Sequence, residues 1–292
     1  MIYSKKIPSF FLPEKTTTFP QKNFTSTEDR LPRRGIFPAR EQRKTTMKII
    51  VCDDYKALGK AAYEELKPAL KPGATLALAT GSSPIGLYDL MAEDYEKGNV
   101  SYRDISSVNL DEYVGLGAGD EQSYYEFMRK NLFDRIDIDK SNTDLPDGKA
   151  ADIPAEIARY EAKLERTPVD VQILGIGSNG HIGFNEPGTP FDSVVHLVDL
   201  TENTIKDNAR FFTSMDEVPR HAISMGIKNV MHAKKIILLA SGKNKALAVR
   251  AMIEGNVSTD CPASVLQLHP DCTVVLDKEA ASLLGETGKQ TA

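Results

Sequence analysis

Cysteine is scarce: the 292-residue chain has three, Cys52, Cys261 and Cys272. They are scattered, odd in number and form no CxxC, so they imply neither a disulfide framework nor a zinc site, and they fit a reducing, cytoplasmic setting. Long hydrophobic runs are missing as well. No apolar stretch approaches the roughly 20 residues of a membrane helix. An excess of basic residues is also lacking, since the formal net charge is −5. Nucleic-acid binding domains usually show a basic face, so neither nucleic acid nor membrane is an expected partner. There is no GxxxxGK[ST], which excludes a nucleotide P-loop. What the chain does have is 41% hydrophobic and 26% charged residues, the balance of an ordinary globular domain. At about 250 residues such a domain buries roughly three quarters of the surface its unfolded chain exposes.

The first 46 residues stand apart. Lys, Arg, Thr, Pro and Ser dominate, and Glu14, Glu28, Asp29 and Glu41 are the only acids. Pro8, Pro13, Pro20, Pro32 and Pro38 interrupt any regular element. Residues 1–46 read as a disordered extension or as upstream sequence. A transit peptide is the alternative, weakened by the lack of an amphipathic helix. Residues 47–292 form the expected folded domain.

From Met47 short apolar runs alternate with helical patterns. Strands are expected at 48–51, 75–79, 107–110, 169–174, 221–225, 235–240 and 273–276. Helices are expected at 55–66, 85–95, 123–133, 153–165 and 243–254, with a short one after the last strand. This alternation predicts a doubly wound α/β domain, Rossmann-like, with a mostly parallel sheet flanked by helices. Ligands of such sheets bind outside the carboxyl ends of the strands, at the switch point. The loops after strands are therefore where chemistry is sought.

Three of them carry it. Thr80-Gly81-Ser82-Ser83-Pro84 follows a strand and opens a helix. Gly81 allows close backbone approach, Ser82 or Ser83 can cap the helix, and Pro84 suits its first turn. The free N–H groups then make an anion site, or simply a well-capped helix. Asn109-Leu110-Asp111-Glu112-Tyr113 ends a strand in two carboxylates, one of which can serve as a general base. Gly175 to Gly188 contains a formal GxGxxG, but Gly183, Pro187 and Gly188 prevent the helix that a dinucleotide fingerprint requires. That leaves a long polar loop carrying His181 and Glu186, a neutral-pH titrating group with an acid nearby.

Together these stretches resemble the glucosamine-6-phosphate deaminase family. Gly-Ile-Gly-Ser-Asn-Gly-His-Ile-Gly-Phe-Asn-Glu-Pro-Gly at 175–188 looks like its core motif. Asn-Leu-Asp-Glu-Tyr-Val-Gly-Leu at 109–116 resembles its second, and Ala-Thr-Gly-Ser-Ser-Pro at 79–84 its phosphate loop. Asn-Ala-Arg-Phe-Phe at 208–212 and Ser-Gly-Lys-Asn-Lys-Ala at 241–246 match two further segments. The resemblance implies a hydrolase of amino-sugar catabolism that needs no metal or organic cofactor. It converts glucosamine 6-phosphate and water to fructose 6-phosphate and ammonia. By resemblance, His181 opens the sugar ring, Glu186 and Asn179 hold that imidazole, and Asp111 moves a proton from C2 to C1. The substrate phosphate is expected on Gly81, Ser82 and Ser83, with Arg210 and Lys245 adding charge.

Two departures from the family pattern are visible. Some members have an acid where this chain has Asn179. Members activated by N-acetylglucosamine 6-phosphate carry a basic stretch just after Asn-Glu-Pro, whereas residues 189–198 here hold no Lys or Arg and include Asp192. That form of control is therefore not expected, and a monomer or small homo-oligomer is. Three rivals share parts of the pattern: a 6-phosphogluconolactonase, a sugar-phosphate-sensing regulator domain, and an isomerase that releases no ammonia. The first departs after the histidine, where Phe184-Asn185-Glu186-Pro187 stands. The second requires a helix-turn-helix, which the Pro-rich 1–46 cannot supply.

Overall fold

The computed structural model describes residues 47–285, apart from 203, 204, 206–208, 210, 211, 213 and the side chain of residue 216. The expected extension, residues 1–46, lies outside the described residues. The chain divides into Met1–Arg40 and Glu41–Ala292, and every described residue belongs to the second unit.

Seven parallel strands form the main sheet. In chain order they are β1 (Lys48–Cys52), β2 (Thr75–Leu78), β3 (Ser106–Asn109), β5 (Thr143–Asp144), β6 (Val171–Leu174), β9 (Lys235–Ala240) and β10 (Cys272–Asp277). Across the sheet the order is β1-β10-β9-β6-β2-β3-β5. From β2 the chain winds outward through β3 to β5, then returns and winds the other way through β6, β9 and β10. The direction reverses between β2 and β6, and this is the switch point. β2, β6 and β10 are buried at every residue, the signature of parallel strands covered on both faces. Each fully buried Leu, Ile or Val there contributes roughly 1.5–3 kcal/mol.

The flanking helices form where their apolar spacing and caps predict. In α1 (Tyr55–Leu66), Leu58, Ala62, Tyr63 and Leu66 face the core, and the Asp54 carboxylate caps the first turn by accepting from Ala57 N at 2.8 Å. Helix α2 (Ile85–Glu96) packs on α1. In α4 (Ile153–Arg166) the cap is Asp152 and Tyr160 is fully buried. Three further helices are α3 (Tyr124–Met128), α5 (Ile227–Met231) and α6 (Ala246–Glu254). The expected helix at 123–133 is α-helical only to Met128 and continues as one wider turn over Arg129–Phe133. The short helix expected after the last strand is a run of turns instead.

A second sheet was not foreseen. β4 (Asp111–Tyr113), β8 (His221–Ser224) and β7 (His196–Asp199) pair antiparallel in the order β4-β8-β7. The stretch read as a loop bearing two acids is therefore a strand. Leu110 is the crossing point: its N–H donates to Leu78 O of the main sheet at 3.2 Å, and its carbonyl accepts from Met225 N beside the small sheet at 2.8 Å. A separate apolar cluster, including Tyr113, Phe184, Val198 and Ala222, supports the small sheet.

Candidate active site

The switch point opens into a cavity of about 340 Å³, the lower part of the range of small-ligand sites. Its walls come from the carboxyl ends of β2, β3, β6 and β9, so all three sequence-selected loops meet there. Of the expected residues, Gly81, Ser82, Ser83, Asp111, His181 and Lys245 line it. Asn179 and Glu186 stand behind His181. Arg210 lies outside the described residues.

The turn after β2 is built differently from expectation. Neither Ser82 nor Ser83 caps α2; Pro84 is the cap residue and makes no side-chain bond there. Gly81 takes φ +84°, a left-handed conformation that glycine adopts without strain. Tyr55 braces the turn from α1: its hydroxyl donates to Ser82 O at 2.5 Å and accepts from Gly86 N at 3.1 Å. Both serine hydroxyls are thus left uncommitted to capping, and the turn is held by a residue that sequence reasoning missed.

Asp111 sits where the two sheets part, 6% exposed. Its Oδ2 lies 3.6 Å from the point a Cβ would occupy on Gly183, so the second and third loops touch at this carboxylate. Burial, and secondarily the charge of Glu112, push the Asp111 carboxyl up to about 8. Glu112 is turned the other way and accepts from the backbone N–H groups of Tyr113, Tyr124 and Tyr125 at 2.8–3.0 Å. Burial raises it to about 7 against the pull of those three donors. Of the two acids, Asp111 faces the cavity and Glu112 ties down the start of α3.

That tie delivers Tyr124 to the cavity wall. Its ring stacks on Phe184 at 6.1 Å between centroids, and its hydroxyl donates to Tyr113 OH at 3.2 Å. Tyr160 holds the other flank: its hydroxyl donates to Asn109 O at 2.6 Å and accepts from Asn109 N at 3.0 Å, two residues before Asp111. Tyr124, Tyr160, Thr80 and Asn244 were not singled out from sequence. The cue for Tyr124 was Ser123, which caps α3 by accepting from Glu126 N.

The His181 loop is compact. Glu186 Oε1 stands 3.4 Å from His181 Nδ1, and Asn179 Nδ2 donates to Glu186 Oε2 at 2.6 Å. Asn179 Oδ1 accepts from the main-chain N–H of His181 at 3.2 Å. The amide was expected to hold the imidazole. It acts instead on the carboxylate behind the ring and on the backbone beneath it.

A buried carboxyl and an imidazole thus face a glycine- and serine-rich turn and a lysine across one small cavity. Such a site suits proton transfers on a small phosphorylated substrate. The sequence relationship agrees. The chain belongs to the glucosamine-6-phosphate isomerase/6-phosphogluconolactonase family, which it matches over residues 53–275.

Within that family its relatives are specific. A glucosamine-6-phosphate deaminase of Lactobacillus delbrueckii subsp. bulgaricus is 56% identical over 239 residues, covering 82% of this chain and all of the relative. One from Thermoanaerobacter pseudethanolicus is 49% identical over 241 residues, covering 82% of this chain and 95% of that one. A solved monomeric glucosamine-6-phosphate deaminase superposes with a TM-score of 0.80 at 47% identity, over 82% of this chain and 100% of that one. The 6-phosphogluconolactonase of Thermotoga maritima shares the fold, with a TM-score of 0.64 at 18% identity over 80% of this chain and all of its own.

Proposed function

We propose that this protein is a glucosamine-6-phosphate deaminase, converting glucosamine 6-phosphate and water to fructose 6-phosphate and ammonia in amino-sugar catabolism. The observation that carries the reading is the buried Asp111 carboxyl facing the same cavity as His181, backed by deaminase relatives at about half identity. The lactonase likeness extends to fold alone.

The phosphate sits on the Gly81–Ser83 turn, where backbone N–H groups offer hydrogen bonds and Lys245, with Arg210, adds charge. His181 takes the proton of the anomeric hydroxyl and delivers it to the ring oxygen, which opens the sugar. Glu186 stabilises the imidazolium formed in between, and Asn179 holds Glu186. Asp111, ionised, removes the proton from C2 and returns it to C1 on the same face. The resulting imine at C2 adds water and expels ammonia, leaving the ketose phosphate. A carboxyl with raised proton affinity is a stronger base than an exposed one, and it can return the proton without help from solvent. Residues 47–292 are the catalytic domain in this reading, and residues 1–46 are an extension to it. The protein works in the cytoplasm, without metal or organic cofactor, as a monomer or small homo-oligomer.

The test is to incubate the purified protein with glucosamine 6-phosphate, without metal or nucleotide, and to follow ammonia and fructose 6-phosphate together. Equal release of both, abolished by Asp111→Asn, is the expected result. Ketose without ammonia identifies an isomerase, and the absence of both products overturns the reading.

A further inference from the structure

The third loop keeps a Gly-x-Gly-x-x-Gly spacing at Gly175, Gly177 and Gly180 although no helix follows it. Two of these glycines are occupied by contacts of another kind. A Cβ placed on Gly177 would fall 2.4 Å from Cε1 of His181 and 2.5 Å from each of its ring nitrogens. Nδ1, Cε1 and Nε2 are consecutive ring atoms, and an in-plane approach to Cε1 would leave both nitrogens much farther away than Cε1; near-equal distances place the imidazole face-on over that position. The main chain closes around the same place. Gly177 N–H donates to His181 O at 2.9 Å, and Gly177 O accepts from Gly180 N at 3.0 Å. At the far end of the loop a Cβ on Gly180 would meet Cys261 Sγ at 2.6 Å, and Gly180 O accepts from Ala263 N at 2.9 Å. Gly175 has only ordinary contact, with Ser83 Oγ at 3.6 Å from its missing Cβ.

His181 Nδ1 is buried and makes no hydrogen bond, with Glu186 Oε1 at 3.4 Å. The face of Gly177 is the surface against which the ring lies. Gly177 is not among the residues with positive φ, so an alanine fits the backbone and only the added methyl group conflicts. Moving the ring from 2.4 Å back to ordinary contact at 3.4 Å requires a shift of about 1 Å. Misplacing a reacting group by that much costs on the order of 100-fold in rate.

We propose that Gly177 is the positioning residue of His181: it lacks a side chain so that the imidazole can rest on its α-carbon, aimed at the substrate rather than tethered through Nδ1. The glycine spacing serves to seat a general base, not a pyrophosphate. The proposal rests on the reading of His181 as the ring-opening group.

Gly177→Ala tests it through three readouts. With glucosamine 6-phosphate, kcat falls about 10- to 100-fold while KM stays within about threefold. In histidine-labelled protein without substrate, the His181 ring resonances, assigned with His181→Ala, move. Gly177→Ala lowers the thermal midpoint in the native background but little in the His181→Ala background, where no ring remains to collide with. The last two readouts need no activity, so they judge the seat even if the deaminase assay fails. An unchanged kcat, unmoved ring resonances, or an equal loss of thermal stability in both backgrounds overturns the proposal.

Discussion

Asn179 and Glu186 are joined by a 2.6 Å hydrogen bond from the amide Nδ2 to the carboxylate Oε2, leaving the other oxygen of Glu186 directed at the Nδ1 side of His181. The amide thus sets the angle at which the carboxylate meets the imidazole while adding no charge of its own.

Replacing that amide with an acid tests the arrangement. In Asn179→Asp the hydrogen bond becomes a contact between two carboxylates, so Glu186 loses the donor that holds its Oε2. kcat with glucosamine 6-phosphate is expected to fall about tenfold, with KM changed less. An unaltered kcat would mean that the placement of Glu186 does not depend on residue 179.

Asp111, once ionised in its buried position, opposes stability. Its proton is held up to about 8 in the folded protein against a reference value of 3.8. Between those values the native state binds more protons than the unfolded chain, so stability falls as pH rises through that window. Asp111→Asn removes the charge at nearly constant shape. At pH 8 it is expected to raise the thermal midpoint by several degrees, at about 2–4 °C per kcal/mol for a domain of this size. The gain vanishes near pH 4, and turnover drops at least about 100-fold at every pH. Scanning fluorimetry at pH 4, 6 and 8 checks the sign.

Tyr160 fixes the strand that carries Asp111. Tyr160→Phe leaves the backbone N–H and carbonyl of Asn109 without their buried partner, a cost of about 1–3 kcal/mol. The expected result is a lower urea midpoint together with a reduced kcat, because Leu110 and Asp111 follow directly. Loss of stability with an unaltered kcat would separate the two effects.

Lys245 lines the cavity at the start of α6. Lys245→Ala is expected to raise KM for glucosamine 6-phosphate by about tenfold or more and to change kcat less, as for an anchor remote from the reacting carbons. Competition by inorganic phosphate should weaken in parallel. If kcat falls while KM holds, Lys245 acts on the chemistry instead.

Residues 189–198 hold no Lys or Arg, and β7, which starts within them and ends at Asp199, presents His196, Leu197 and Asp199 partly or fully exposed. Substrate saturation should therefore be unaffected by N-acetylglucosamine 6-phosphate. A sigmoidal curve made hyperbolic by that compound would refute this.

By itself the sequence determined the elements whose signals are local. Tyr55–Leu66 and Lys235–Ala240 lie where their apolar periods put them, the glycine-rich turns after strands marked Gly81 and His181, and the family resemblance marked Lys245. Nonlocal pairing decided the rest. β4 has three residues, too few to show a period, and is a strand only because β8, about 110 residues later, supplies its partners. The crossing at Leu110, the tyrosines that brace it and the face of Gly177 beneath His181 depend on which surfaces meet after packing, and tertiary structure alone brings those surfaces together.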